Sequence, residues 1–170
     1  YCVSCNTCWR ATVEGGGVAC DNNPALGLKD EAFWRPEKIS QKRRIVVVGA
    51  GVAGLEAAWV AAARGHEVTI LCGNTGVGGK TRLHASLPGG ENLSSVYDYQ
   101  YLACQREGVT FEDQHLASVE GMRALAPDTV VLATGSTMLV PNFIPQEYAI
   151  DCLIPDIRSL VADLAGTHFS

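Results

Sequence analysis

The most regular stretch of the chain begins at Ile45-Val46-Val47-Val48, an unbroken β-branched run without the polar alternation of a half-exposed strand. Such a run suits a strand covered on both faces in a parallel sheet, and that strand is placed at Arg44 to Val48. From about Val52 to Arg64 the pattern becomes alanine-rich and helical, with Gly65 as its C-terminal stop and a second strand at Glu67 to Leu71. Strand, glycine turn, helix and strand make one βαβ unit. Beyond it, a polar loop runs from Gly78-Gly79 through Pro88-Gly89-Gly90, followed by a helix from Leu93 to Glu107 and a short strand at Val109 to Phe111. A further buried strand is predicted at Thr129 to Ala133. Pro141, Pro145 and Pro155 make the last stretch less regular before an amphipathic helix from about Asp156 to Leu164.

Residues 1–40 have little periodicity and read as loops wrapped around something other than a hydrophobic core. Cys2, Cys5, Cys8 and Cys20 supply a candidate, in the pattern C-x2-C-x2-C-x11-C. Three thiolates within seven residues let one loop reach three corners of a cubane 4Fe-4S cluster, and the fourth arrives from beyond Gly15-Gly16-Gly17. Those glycines let the backbone turn tightly, with amides free to point at cluster sulfurs. Structural zinc also takes four cysteines, but usually as two separated pairs, so the compact triplet favours iron and sulfide over zinc.

Gly49-Ala50-Gly51-Val52-Ala53-Gly54 is G-x-G-x-x-G placed directly after a strand and opening a helix. In that context Gly49 allows the tight turn, Gly51 lets backbone approach a pyrophosphate, and Gly54 lets the helix pack closely. The helix N-terminus adds amide donors and the positive end of its dipole. An acidic residue is expected at the end of the second strand to hold the ribose hydroxyls, but Cys72 stands there. A thiol is a poor partner for a diol, and Asn74 or Thr75 could take the role. The fold class is therefore α/β: a Rossmann-like FAD/NAD(P)-binding βαβ domain over residues 41–170, incomplete at its C-terminus, after an irregular cysteine-rich cluster segment over 1–40.

Composition narrows the function classes. At 170 residues, with 47% apolar and 18% charged residues, the chain has the make-up of a globular domain with a core. A net charge of −5 gives no basic field for nucleic acid. The apolar stretch from Ile45 to Ala63 approaches the length of a membrane span, but three glycines and Glu56 interrupt it, and strand, turn and helix explain it fully. Seven cysteines, with Cys72, Cys104 and Cys152 scattered singly, argue against a disulfide framework and for a reducing, cytoplasmic setting. A start at Tyr1 leads us to expect a piece of a longer polypeptide. Trp9, Trp34 and Trp59 are expected to pack rather than to conduct electrons, and His66, His84, His115 and His168 have no metal or catalytic spacing. No general acid, base or nucleophile stands out.

In their order, these motifs resemble the iron-sulfur branch of the old yellow enzyme flavoproteins, which includes trimethylamine and dimethylamine dehydrogenases and iron-sulfur 2,4-dienoyl-CoA reductases. The resemblance covers residues 1 to about 140. It rests on Cys2-Val3-Ser4-Cys5-Asn6-Thr7-Cys8, Cys20-Asp21-Asn22-Asn23-Pro24, Trp34-Arg35-Pro36-Glu37-Lys38, Gly49 to Gly54, Gly78-Gly79 and Ala133-Thr134-Gly135. The C-x2-C-x2-C triplet and the tryptophan-proline-glutamate-lysine linker lean toward the amine dehydrogenases. The resemblance implies that Cys2, Cys5, Cys8 and Cys20 ligate the cluster, that Gly49, Gly51 and Gly54 cradle a pyrophosphate, and that Ala133-Thr134-Gly135 closes over the same nucleotide, FAD or ADP.

It further implies an FMN-bearing barrel outside this chain that holds the small-molecule substrate, with electrons relayed from FMN through the cluster to an external acceptor. The partners it implies are an electron-transfer flavoprotein or NAD(P)H, with a homo-oligomer expected at full length and no nucleic-acid or membrane partner. Two directions follow, oxidative N-demethylation of a small methylated amine or NAD(P)H-driven reduction of an unsaturated thioester. A glutamate-synthase-type small subunit also places cysteines before a G-x-G-x-x-G unit, but carries more cluster ligands. A nucleotide-binding fragment without turnover is the non-enzymatic alternative.

Overall fold

The computed structural model describes residues 2–23, 25–31, 34–73, 76–113, 116–137, 139, 142–145 and 157–166. Its elements run α1 (Thr7–Val13), β1 (Arg44–Val48), α2 (Val52–Ala63), β2 (Glu67–Leu71), α3 (Gly79–Ala85), a 3-10 turn (Glu91–Leu93), α4 (Ser94–Arg106), β3 (Thr110–Glu112), α5 (Val119–Ala124), β4 (Thr129–Leu132) and α6 (Ile157–Gly166). The four strands form one parallel sheet in the order β3-β2-β1-β4. Parallel neighbours need crossovers, and α2 and α4 supply two of them.

The β-branched run of β1 is buried because it is covered on both faces. Val47 points with Ile70 into a core completed by Leu55, Ala58, Trp59 and Cys104, while Val46, Val48 and Leu71 point the other way, toward Met122 of α5. Helix α2 is apolar nearly all round because it lies between the sheet and α4. Polar groups that enter that interface are matched in part: Glu56 Oε2 accepts from Trp59 Nε1 and from Gln100 Nε2, each at 2.8 Å, while Gln100 Oε1 is buried without a hydrogen-bond partner among the described residues. Trp34 meets the edge of Trp59 at 6.2 Å between ring centroids, and Ile39 N–H donates to the Arg64 carbonyl at 3.1 Å. These contacts fasten the linker after the cysteine segment to α2. Trp34 and Trp59 thus pack as expected, whereas Trp9 is 70% exposed.

The expected strands and the two long helices appear within two residues of their expected bounds, but β4, expected to be buried, lies at the sheet edge with Val130 and Leu132 exposed. Three segments differ. The N-terminal segment, expected to be irregular, contains α1, which closes with a left-handed Gly15 whose N–H donates to Thr12 O while Gly16 N–H donates to Ala11 O. These are the two hydrogen bonds of a Schellman cap. The amides of Gly15 and Gly16 are therefore spent on helix carbonyls, not on cluster sulfurs. The stretch expected to be a polar loop after Gly78-Gly79 opens with α3, and α5 was not foreseen. Both are short helices of six or seven residues, too brief for a clear period. His66 accepts from Arg43 N–H through Nδ1, a turn contact. Asn74, Thr75, His115, Cys152, Asp156 and His168 lie outside the described residues. Among the described residues no helix is long and apolar enough to cross a membrane.

Cys104 is fully buried and its thiol donates to the Leu55 carbonyl at 3.5 Å. Burial, reinforced by the Glu56 charge, pushes this thiol from 9.0 up to about 12. Because the folded value is the higher one, its contribution to stability is complete below pH 9 and is lost as pH climbs toward about 12. Urea midpoints taken below and within that window are expected to fall in the wild type and to fall less in Cys104→Val. An equally steep loss in the variant would refute this account.

Candidate functional site

Two cavities hold the residues singled out by their chemistry. The first, about 320 Å³, is lined by Cys2, Cys5, Cys8 and Cys20 together with Val3, Ser4, Asn6, Asn22 and Asn23. The loop can present its thiols to one space because Ser4 and Asn6 adopt left-handed backbone, at φ 56° and 60°. That turns the chain back between successive cysteines. Ser4 N–H donates to Cys2 Sγ at 3.4 Å. Thr7 Oγ1 donates to Asp21 Oδ2 at 2.7 Å, which ties the triplet to the segment bearing Cys20. Asn23 Nδ2 donates to Glu31 Oε1 at 2.8 Å and fixes the next turn. All four cysteines are free thiols. Among the described residues no three cysteine, histidine or carboxylate side chains converge as they would around a single ion. The four cysteines line the same cavity.

The second cavity, about 800 Å³, opens at the C-terminal ends of β1, β2 and β4. In open parallel sheets that is where nucleotides bind. Gly49 follows β1 with φ 107°, its N–H donates to Leu71 O at 2.9 Å, and a Cβ there would collide with the Ala133 carbonyl. A Cβ on Gly54 would collide with the Gly49 carbonyl, so this glycine seats α2 against the turn. Gly51 differs, because its φ is an ordinary −75° and a Cβ would meet only Gly79 Cα at 3.9 Å. Nothing in the fold requires glycine at 51, which lines the cavity. Gly51 is the N-cap of α2, no side chain caps that end, and the first helical bond is Leu55 N–H to Gly51 O. The amides of Val52, Ala53 and Gly54 are left without intrahelical acceptors.

Of the residues expected to bind the nucleotide, Gly49, Ala50, Gly51, Val52, Ala53, Cys72, Gly78, Gly79, Ala133, Thr134 and Gly135 line this cavity, and Gly54 stands behind it. Gly78 N–H also donates to Ala50 O at 2.8 Å, docking its loop onto the turn. Sequence reasoning missed Lys80, Arg82, Ser136 and Arg158, which line the same space, with Lys80 Nζ donating to Ser136 Oγ at 3.2 Å. Lys80 and Arg82 were hidden in α3, an unforeseen helix. Cys72 is buried, and burial, with Asp113 next in effect, pushes its thiol up to about 11. At neutral pH it is a protonated donor.

Residues 43–159, and in an overlapping match 16–82, fit the family model described as pyridine nucleotide-disulphide oxidoreductase. The chain belongs to this family. Within it, the chain is 39% identical over 134 residues to a protein of Rhizobium meliloti (strain 1021) named as a probable N-methylproline demethylase, a match to 79% of this chain and 20% of that protein. Among solved structures it is similar to a 2-naphthoyl-CoA reductase in complex with 2-naphthoyl-CoA, at TM-score 0.81 and 25% identity over 95% of this chain and 24% of that one. It is also similar to the histamine dehydrogenase of Rhizobium sp. 4-9, at TM-score 0.71 and 26% identity over 85% of this chain and 22% of that one. These relatives bear out the resemblance to the iron-sulfur branch of the old yellow enzyme flavoproteins. The chain spans about a fifth of the length of the demethylase it matches.

The two glycines at the turn separate folding from binding. Gly49→Ala is expected to lower stability by about 2 kcal/mol or more, from left-handed strain plus the clash with Ala133. Gly51→Val is expected to leave the melting temperature within a few degrees of wild type while weakening ADP binding at least about tenfold. Calorimetric melting and ADP titration of both variants check this, and the opposite pattern would exclude the assignment.

Proposed function

We propose that this chain is the electron-transfer part of an iron-sulfur flavoprotein oxidoreductase whose complete form oxidises a small methylated amine by N-demethylation. The observation that carries this reading is that four free cysteines, from two separate segments, line one cavity of about 320 Å³. Their number and type fit a 4Fe-4S cluster, which would supply one-electron transfer. The chain's own contribution is to hold those thiols: left-handed Ser4 and Asn6 aim the triplet, the Thr7–Asp21 hydrogen bond closes it against Cys20, and the Ser4 amide donates toward Cys2. An amide directed at a thiolate favours its negative charge and shifts the potential of whatever it ligates.

In the second cavity, the Gly51 cradle and the unpaired amides of α2 suit the pyrophosphate of FAD or ADP. Thr134, Gly135 and Ser136 line the same cavity. Chemistry on substrate, with its FMN and its small molecule, belongs to a barrel outside these residues, and the electrons leave to an electron-transfer flavoprotein. The cysteine pattern supports a cytoplasmic setting, and a homo-oligomer is the assembly we assign to the full-length protein. The demethylase relative, at 39% identity, favours the amine reading. The likeness to a 2-naphthoyl-CoA reductase, at TM-score 0.81, is the observation for a second reading, NAD(P)H-driven reduction of an unsaturated CoA thioester.

Anaerobically purified protein is expected to contain about four iron and four acid-labile sulfide per chain, and Cys5→Ser to lose most of both. Zinc without sulfide would overturn the cluster. In the full-length protein, flavin bleaching by a secondary or tertiary methylamine supports demethylation, whereas rapid bleaching by NAD(P)H alone selects the thioester reading.

A further inference from the structure

The acidic residue that usually closes β2 and holds the adenosine ribose is replaced by Cys72. The adjacent strand supplies one instead. Leu71 pairs with Glu112 across the β2–β3 ladder, and Cys72 N–H donates to Glu112 O at 2.9 Å. Cys72 and Asp113 therefore leave the sheet side by side at its C-terminal edge. Cys72 lines the 800 Å³ cavity, and the charge of the exposed Asp113 beside it adds to burial in pushing its thiol up. Beyond Asp113 the chain returns to the cavity wall at Leu116 and Ala117.

We propose that Asp113 accepts the hydrogen bonds of the adenosine ribose hydroxyls, with Cys72 as the positioning residue that orients its carboxylate. This rests on the reading of the cavity as an adenine-nucleotide site. A carboxylate has two oxygens and about four acceptor positions. One position taken by the thiol leaves capacity for both hydroxyls of a diol. Burial keeps the thiol protonated, so it donates to the carboxylate and does not compete with it for the hydroxyl protons. An exposed acid alone would swing freely; the buried thiol behind it limits its range. The assignment also sets a preference among nucleotides. Asp113 would repel a 2′-phosphate, while Arg82, whose guanidinium occupies the space a Gly76 side chain would need, lines the same cavity as the group that would welcome one.

The experiment is a calorimetric titration of the full chain with ADP, with 2′,3′-dideoxy-ADP and with the 2′-phosphorylated form of ADP. Wild type, Asp113→Ala, Cys72→Ser and Cys72→Ala are compared. Wild type is expected to bind ADP about ten- to a hundredfold more tightly than the dideoxy nucleotide. Asp113→Ala is expected to erase that ratio while keeping the dideoxy affinity, which also reports that the cavity is still formed. Cys72→Ser, retaining a donor, is expected to keep most of the ratio and Cys72→Ala to lose part of it. An undiminished ratio in Asp113→Ala overturns the assignment, and so does tighter wild-type binding of the 2′-phosphorylated nucleotide, which would transfer the ribose site to Arg82. If wild type binds none of the three, the adenine-site reading fails, and the role of Asp113 with it.

Discussion

Gly49 sits where three strand ends and a helix meet. Its N–H is bonded to the last carbonyl of β2, and the Ala133 carbonyl, just past β4, occupies the place where its side chain would begin. The Gly49 carbonyl in turn lies where a side chain on Gly54 would be. Such crowding fixes how α2 leaves the sheet, and with it the direction of the unpaired amides in its first turn. It also sets Ala133 directly against the turn, and Ala133, Thr134 and Gly135 line the cavity with it. The energy that maintains this closeness comes from elsewhere. Leu55, Ala58, Val47 and Ile70 are fully buried, and burial of each large aliphatic side chain contributes about 1.5–3 kcal/mol.

The cysteine segment is stabilised differently. Helix α1 has no buried residue, and Trp9 and Val13 on it are exposed. What orders this segment is polar and local: the cap at Gly15 and Gly16, the Thr7–Asp21 bond, and the pairing of Asn23 with Glu31. Its link to the core is aromatic, through the edge-on contact of Trp34 with Trp59. A metal group bound by four thiolates would therefore add much of the free energy that a hydrophobic core supplies in the rest of the chain.

Cys72 shows how a departure from a motif acquires meaning from its surroundings. In isolation a thiol at the end of β2 reads as a lost ribose contact. Beside β3 it becomes a buried donor next to a carboxylate, because a parallel ladder aligns the strand ends that sequence separates by some forty positions. Lys80, Arg82 and Ser136 reach the same cavity by equally non-local routes.

The elements that the sequence determined by itself are those with a long repeating pattern or a local steric rule. The β-branched run of β1, the alanine-rich α2 with its Gly65 stop, and the G-x-G-x-x-G turn state their structure through neighbours close in the chain. Short helices such as α1, α3 and α5 contain too few turns for periodicity to declare them, and caps or tertiary contacts decide them. The juxtaposition of Cys72 and Asp113 and the cationic lining of the cavity depend on strand order and register, whereas the Thr7–Asp21 hydrogen bond places Cys20 beside the triplet. Strand order and register are set by burial over the whole sheet, and only the tertiary structure could decide them.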